Sequence, residues 1–402
     1  MNVFKKVFCR CYQFCFRLVM PILPYRRPII YNSVSELEEL FRELEVRNVM
    51  LITDEFLRKA GVTKELEELL SKKKIKCTVY DKTRANPTVN NVEEARKLYI
   101  KNKCEMLIAF GGGSSMDCAK AVGARIAYPK KSVNELKGLL RVLRKIPKLV
   151  AIPTTAGTGS EVTITAVITD SEKKHKYTMN NFTMIPGYAV LDPKVTYTLP
   201  PSLTATTGMD ALTHAVEAYI GGSTTKETRE LALEAVELIF KNIKIAYNEK
   251  DNYEARNNML QAAYKAGIAF SKSYVGYIHA VAHSLGGEYN IPHGLANAVI
   301  MPYVLDMYGN NVYKKLYELG IAAKVVKESD SYEEGAKKFI KAIRKLNKEM
   351  EIPEKLKGIN KEDIANMARH ADKEANPLYP VPKLMNSKEL EEIYYKVADW
   401  SE

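Results

Sequence analysis

An α/β domain built on a parallel sheet, followed by an all-helical domain, is the fold class that the sequence predicts. Three observations carry this. Short apolar runs alternate with amphipathic stretches up to about residue 200, and those runs are apolar throughout. Beyond "TYTLPPSLTATTGMD" strand character gives way to long helical periods such as "ETRELALEAVELIFKNIKIAYN". Strands covered by helices on both faces read as unbroken apolar runs, whereas half-exposed strands alternate. A chain of 402 residues also exceeds what one ordinary core accommodates, so two domains are expected.

The elements follow in chain order. In residues 1–24, Phe4, Val7, Phe8, Cys11, Cys15 and Leu18 recur at helical spacing, with Lys5, Lys6, Arg10 and Arg17 among them. That pattern predicts an amphipathic helix with one apolar face. Arginines interrupt the apolar run and no small-residue cleavage site follows, which excludes a secretory signal. The segment is also too short and too charged to span a bilayer. It is read as an extension that packs on its own domain or a sister subunit, lies on a membrane surface, or docks an enzyme assembly. Cys9, Cys11 and Cys15 lack a nearby fourth ligand for a metal.

Residues 25–200 make the α/β domain. "NVMLIT" (48–53), "KCTVYD" (76–81), "MLIAF" (106–110) and "KLVAIP" (148–153) are its strands, with helical stretches such as "NPTVNNVEEARKLYIKN" between them. "TITAVITD" and "YAVLDP" add extended segments. Residues 201–402 make the helical domain, and a cleft between two domains is where a binding site is expected.

The net charge of +12 is spread along the chain, mostly beside glutamates, as in "KELEELLSKKKIK". It describes solvated helix faces, and a nucleic-acid partner is not expected. Cys77, Cys104 and Cys118 lie in apolar contexts without framework spacing, which suits buried thiols in a reducing, cytoplasmic compartment.

Two loops and a histidine cluster carry the chemistry. "AFGGGSSMDCAK" sets three glycines between a strand and a helix, where backbone approaches a phosphate and the helix N-terminus offers N–H groups. "IPTTAGTGSE" repeats the idea after the next strand with Thr154, Thr155, Thr158 and Ser160. Two such loops at neighbouring strand ends suit one extended phosphate-bearing ligand. Asp54 ends the first strand, as a ribose acceptor or a helix N-cap, and Asn86 in "ANPT" is a cofactor contact or a turn residue.

Asp210 and His214 lie four apart in "GMDALTHAVEAY", and His279 and His283 have the same spacing in "IHAVAHSLGG". Each pair shares a helix face, and His293 follows in "IPH". An aspartate with two or three imidazoles makes a shell for Fe(II), Zn(II) or Ni(II). Spacing leaves open whether His279 or His283 is the ligand. His175 and His370 sit among charges and are expected at the surface.

Together with "ADKEANPLYPVP" near the C-terminus, these motifs in this order resemble the iron-containing (group III) alcohol dehydrogenase family over roughly residues 25–400. The resemblance implies a Rossmann-like nucleotide-binding domain followed by a helical metal domain, the dehydroquinate synthase-like architecture. It puts the metal on Asp210, His214, His279 and His293, which leans towards Fe(II) with Zn(II) as the alternative. It gives Gly112, Gly113 and Ser114 to the pyrophosphate and Thr154, Thr155 and Thr158 to the nicotinamide half. Lys176 reaches the cofactor in the same reading, Asp54 faces the adenosine ribose, and Asn86, Asp117 and His293 complete the expected contacts. A carboxylate at Asp54 would repel a 2′-phosphate, favouring NAD(H).

The implied reaction is hydride transfer between a small alcohol or aldehyde and the nicotinamide, with His283 as proton relay. A homodimer or higher homo-oligomer is expected. A polyol dehydrogenase, or a lyase similar to dehydroquinate synthase, is the alternative on the same scaffold. The apolar "AVA" and "YVGYI" runs argue for a small uncharged substrate. The extension before Pro24 lies outside the resemblance.

Overall fold

The computed structural model describes residues 1–171 and 175–400. The chain divides into two compact units. One is Pro24–Leu199; in the other, Met1–Leu23, with helix α1 (Val3–Val19), join the residues from Pro200 onward. The N-terminal extension is thus part of the helical unit.

The first unit holds strands β1 (Ile29–Tyr31), β2 (Asn48–Ile52), β3 (Lys76–Tyr80), β4 (Met106–Gly111), β5 (Gly138–Leu139), β6 (Lys148–Pro153), β7 (Thr165–Asp170), β8 (His175–Asn180) and β9 (Tyr188–Val190). Its helices are α2 (Leu37–Glu43), α3 (Glu55–Lys59), α4 (Lys64–Lys72), α5 (Val89–Lys101) and α6 (Gly113–Ala127). Six strands form one sheet in the order β1-β9-β6-β4-β2-β3, every pairing parallel.

Alternate residues of the same apolar strands feed opposite cores. Met50, Ile52, Leu107 and Ala109 pack with Val92 of α5 and Met116 of α6. Leu51, Ile108, Phe110 and Ile152 pack with Leu40 of α2 and Leu66 of α4. Burial on both faces is why these strands show no polar alternation.

From β2 the chain steps outward to β3, then returns past β2 to β4. The winding therefore reverses between β2 and β4, and a parallel sheet leaves a ligand crevice outside the carboxyl ends at such a point.

Both added extended segments are strands, in different sheets. "YAVLDP" supplies β9, which enters the main sheet between β1 and β6. "TITAVITD" supplies β7, which leaves it for a separate three-stranded sheet ordered β5-β8-β7. Three-residue β1 carries no readable periodicity and is visible only in the fold.

The second unit continues with α7 (Pro201–Ile220), α8 (Lys226–Asn248), α9 (Tyr253–Ser273), α10 (Tyr277–Glu288), α11 (His293–Tyr308), α12 (Tyr313–Ala322), α13 (Tyr332–Glu349), α14 (Lys361–Ala375) and α15 (Ser387–Val397). Its described residues form no strand. Capping boxes at Thr225, Ser331 and Asn386 start α8, α13 and α15 by satisfying N–H groups that the first turn leaves unpaired. Helix α7 is buried on every side from Gly208 to Ile220. Its polar side chains therefore lie in the interior, where each needs a partner.

Helix α1 is amphipathic as expected, but the apolar face does not pack. Cys9 and Gln13 are buried instead. Gln13 Nε2 donates to the carbonyls of Pro377 (3.2 Å) and Tyr379 (2.7 Å). Arg10 donates to those of Val381 and Pro382, and Lys5 pairs with Asp372 at 3.2 Å. Backbone carbonyls of a non-helical segment attract donors, so the polar face wins the interior. Cys11 and Cys15 are exposed and Cys9 is buried, so the three thiols do not gather into a metal site.

Candidate metal centre and cofactor loops

The glycine loop lies at the carboxyl end of β4 and the threonine loop at that of β6. Gly111 pairs with Pro153 in register, and Thr154 N–H donates to the Gly111 carbonyl at 3.1 Å. The loops touch: a Cβ on Gly113 would stand 2.9 Å from Thr158 Cγ2, and one on Gly112 3.4 Å from Thr155 Cγ2. At Gly113 a side chain would force Thr158 to shift, whereas at Gly112 it would only make ordinary contact. Gly112 begins α6 with no side-chain cap, leaving the N–H groups of the first turn for a ligand.

Asp54 caps α3, its Oδ1 accepting the Leu57 N–H at 2.9 Å, beside the point where the winding reverses. Asn86 adopts a left-handed conformation (φ 60°), and its N–H lies 3.4 Å from Ser114 Oγ. This brings the Asn86 turn to the glycine loop. Lys176 lies half-buried on β8, where desolvation lowers its pKa.

Asp117 faces inward. Its carboxylate accepts from Ser160 Oγ (3.0 Å) and Val167 N–H (3.0 Å), and burial pushes its pKa up to about 6. One oxygen braces the second loop and the other holds β7. Lys120, one turn on, was not legible as a site residue. Fully buried, its ammonium donates to Ser160 Oγ, Thr163 Oγ1 and the carbonyls of Thr163 and Thr165, all within 3.0 Å. Desolvation lowers it to about 8 and raises neighbouring Glu161 to about 7. A buried lysine thus clamps the threonine loop onto α6.

In the helical unit, α7 presents Asp210, His214 and Glu217 on one face, α10 presents His279 and His283, and α11 opens with His293. One ligand atom each from Asp210, His279 and His293 lie within 4.8 Å of one another. Asp210 Oδ1 is 3.5 Å from His293 Nε2 and 3.9 Å from His279 Nε2. Ligands at about 2.1 Å around a tetrahedral cation stand roughly 3.4 Å apart, so the spacing fits a transition metal.

A stand-in marks the centre. Asn297 Nδ2 lies 2.7 Å from Asp210 Oδ1, 3.1 Å from His293 Nε2 and 3.3 Å from His279 Nε2. Three polar atoms converge on one amide nitrogen that has only two hydrogens to offer, where a cation would serve all three. His279 is prepared for this. Its Nδ1 meets the Glu217 carboxylate at 2.6 Å, turning the Nε2 lone pair towards Asp210. Burial, then the neighbouring imidazoles, hold its pKa well below 6.5, so the ring stays neutral.

Glu217 also accepts the N–H groups of Gly276 and Ile278, each at 2.8 Å. Burial drives it up to about 8, against those hydrogen bonds. A Cβ on Gly276 would stand 2.7 Å from Glu217 Oε1, so only glycine admits this arrangement.

His214 does not enter the group of three. Its ring stacks between Phe270 (4.1 Å) and His279 (4.6 Å). His283 stacks on His293 at 5.2 Å, and its Nδ1 meets Glu374 Oε1 at 2.6 Å. The Tyr379 hydroxyl donates to the same oxygen at 2.7 Å. Burial pulls the His283 pKa down, but the Glu374 carboxylate outweighs it and the net shift is upward. His370 is exposed, as expected; the His175 side chain is outside the described residues.

Sequence reasoning passed over Glu217, Asn297 and Glu374. Glu217 had a signal, seven residues after Asp210 and so on the same helix face; Asn297 stands four after His293. Glu374, in "ADKEANP", reads as a solvated charge.

The family model described as iron-containing alcohol dehydrogenase matches residues 29–193. That of the Fe-containing alcohol dehydrogenase family, C-terminal, matches residues 204–398. Alcohol dehydrogenase 4 of Saccharomyces cerevisiae is 35% identical over 354 residues, 86% of this chain and 91% of its own. An NAD-dependent methanol dehydrogenase of Bacillus methanolicus is 33% identical over 345 residues, 85% and 90% of the two chains. Among solved structures, a 1,3-propanediol oxidoreductase superposes with a TM-score of 0.89 at 33% identity, covering 93% of this chain and 99% of its own.

Proposed function

The chain belongs to the iron-containing alcohol dehydrogenase family, and on that premise we propose that it uses Fe(II) and NAD(H) to interconvert a small primary alcohol and its aldehyde. The convergence of Asp210, His279 and His293 on one point carries this reading. Those residues would hold the cation, with His214 as the fourth ligand that the family pattern gives. Bound there, a divalent cation supplies Lewis-acid polarisation of the substrate oxygen, and the nicotinamide takes or returns the hydride.

The chain's own residues do the rest. Asp210 brings the one negative charge of the set, which favours a dication over the neutral donor now at its centre. Glu217 holds the His279 ring by Nδ1, so that Nε2 cannot turn away. His283, with Nδ1 on Glu374, offers Nε2 to exchange a proton with the substrate oxygen. Gly112, Gly113 and Ser114 would receive the pyrophosphate and Thr154, Thr155 and Thr158 the nicotinamide half. Asp54 would take the adenosine ribose and disfavour a 2′-phosphate. Asn86, Asp117 and Lys176 would support the same ligand, Asp117 through Ser160. We further read the enzyme as a cytoplasmic homo-oligomer, consistent with six free thiols.

The test is anaerobic purification, metal analysis and NADH oxidation with short aldehydes, on the native chain and on His279→Ala. About one iron per chain, with turnover lost in the variant, is expected. A chain that takes up neither Fe(II) nor Zn(II) and never oxidises NADH refutes the reading.

A further inference from the structure

We propose that α1 docks this protein on an anionic lipid surface, its outward apolar face bedded at the boundary between headgroups and acyl chains. This goes beyond the catalytic reading and does not depend on it.

The helix is turned opposite to one that serves a soluble core. Its polar side chains Gln13, Arg10 and Lys5 bind the protein, while the apolar ones point away. Phe4 is 88% exposed and Ile22, just beyond the helix, 81%; Val7, Phe8, Phe14 and Leu18 each exceed half. At 3.6 residues per turn those of the helix, with Cys11 and Cys15, fall within about a third of the circumference without a charged residue among them. Soluble proteins rarely leave such a continuous apolar strip exposed unless something covers it.

Charge selects the occupant. Lys6 and Arg17 lie along one edge of the strip, beside Arg10 whose guanidinium is held by the Val381 and Pro382 carbonyls, and residues 1–35 contain no aspartate or glutamate. An apolar face edged by Lys and Arg is the pattern of a helix lying in the plane of a membrane surface, where the cations meet anionic headgroups. A second copy of the helix would set basic edges together with no acidic residue to answer them. Insertion across the bilayer is a different matter: no described helix is long and apolar enough for it.

The experiment is flotation of the full chain with vesicles of phosphatidylcholine containing phosphatidylglycerol, beside vesicles of phosphatidylcholine alone. Phe4→Ser combined with Phe8→Ser removes two exposed side chains that make no core contact. The native chain should float with the anionic vesicles. Binding should fall about tenfold or more in the double variant, and likewise at raised salt. The thermal midpoint and NADH oxidation should stay unchanged. An environment-sensitive dye on exposed Cys11 should shift to the blue on adding anionic vesicles.

No flotation at low salt overturns the proposal, as does flotation that the double variant leaves intact. A double variant whose native mass halves without lipid assigns the face to a second copy instead.

Discussion

Glu217 shows how one buried carboxylate sets the chemistry of its neighbours. Its three donors fix the start of α10 and the His279 ring together. Glu217→Gln keeps an oxygen for the Ile278 N–H only; its amide NH2 then takes the place of the oxygen that Gly276 N–H and His279 Nδ1 share, favouring the tautomer whose Nε2 carries hydrogen. Metal affinity should fall roughly 10- to 100-fold, read by competition with a chelator. The metal-free variant should melt only slightly lower than the native protein, because the Gly276 N–H alone loses its acceptor, at a cost of about 1–3 kcal/mol. A large loss of metal-free stability would mean that Glu217 is structural only. At this scale Asp210, His279 and His293 were legible because histidine is scarce and spacing places pairs on one face. Glu374 was not, because a glutamate in a charged stretch looks the same whether it meets water or an imidazole.

At the scale of elements, the clamp between α6 and the threonine loop gives the α/β unit a pH signature. Glu161 has a native pKa raised to about 7 from 4.5, so the folded state holds its proton longer than the unfolded chain does. Its favourable contribution is complete below about 4.5 and is lost as pH rises towards 7. Asp117, raised to about 6, acts with the same sign. Lys120, lowered to about 8 from 10.5, acts oppositely, and its penalty is relieved only as pH climbs through that higher range. Unfolding free energy should therefore dip near neutrality, by on the order of 3 kcal/mol from Glu161 alone. Glu161→Gln should flatten the descent in denaturant titrations between about pH 5 and pH 8. An unchanged pH profile in that variant would show that Glu161 ionises freely in the folded state.

Elements also show where pattern reading stops. The buried strands announced themselves by unbroken apolar runs, and the helices by their period. The sheet that β7 joins was invisible, since a strand's periodicity names its faces but not its neighbours. For α1 the period was legible and the direction of its apolar face was left open. Hydrophobicity alone points an apolar face inward, and only the carbonyls of residues 377–382 reveal what the polar face gains.

For the whole molecule, each unit carries its own set of ligand-facing groups. Hydrogen exchange followed by mass spectrometry should separate them. Fe(II) or Zn(II) should slow exchange in α7, α10 and the start of α11. NADH should slow it in residues 111–117 and 154–160, with a stabilisation of about 2.7 kcal/mol at a hundredfold excess over Kd. Metal protection confined to the α/β unit would contradict the site. The boundary itself was legible at Leu199–Pro201, where the chain turns from strand runs to long helical periods. The membership of residues 1–23 in the later unit was not, because nothing local to a segment encodes which distant carbonyls it will meet.

That membership sets an order for biosynthesis. Residues 24–199 are contiguous, and can fold as soon as they leave the ribosome. Helix α1, made before them, waits for Asp372, Pro377 and Tyr379, more than three hundred residues later in translation. Its apolar strip is open before and after release, and until then its donors are unmatched as well, so the nascent chain spends most of its synthesis with both uncovered. Native closure of the helical unit is a post-translational event, and a truncated chain lacking the last thirty residues has nowhere to seat its own beginning.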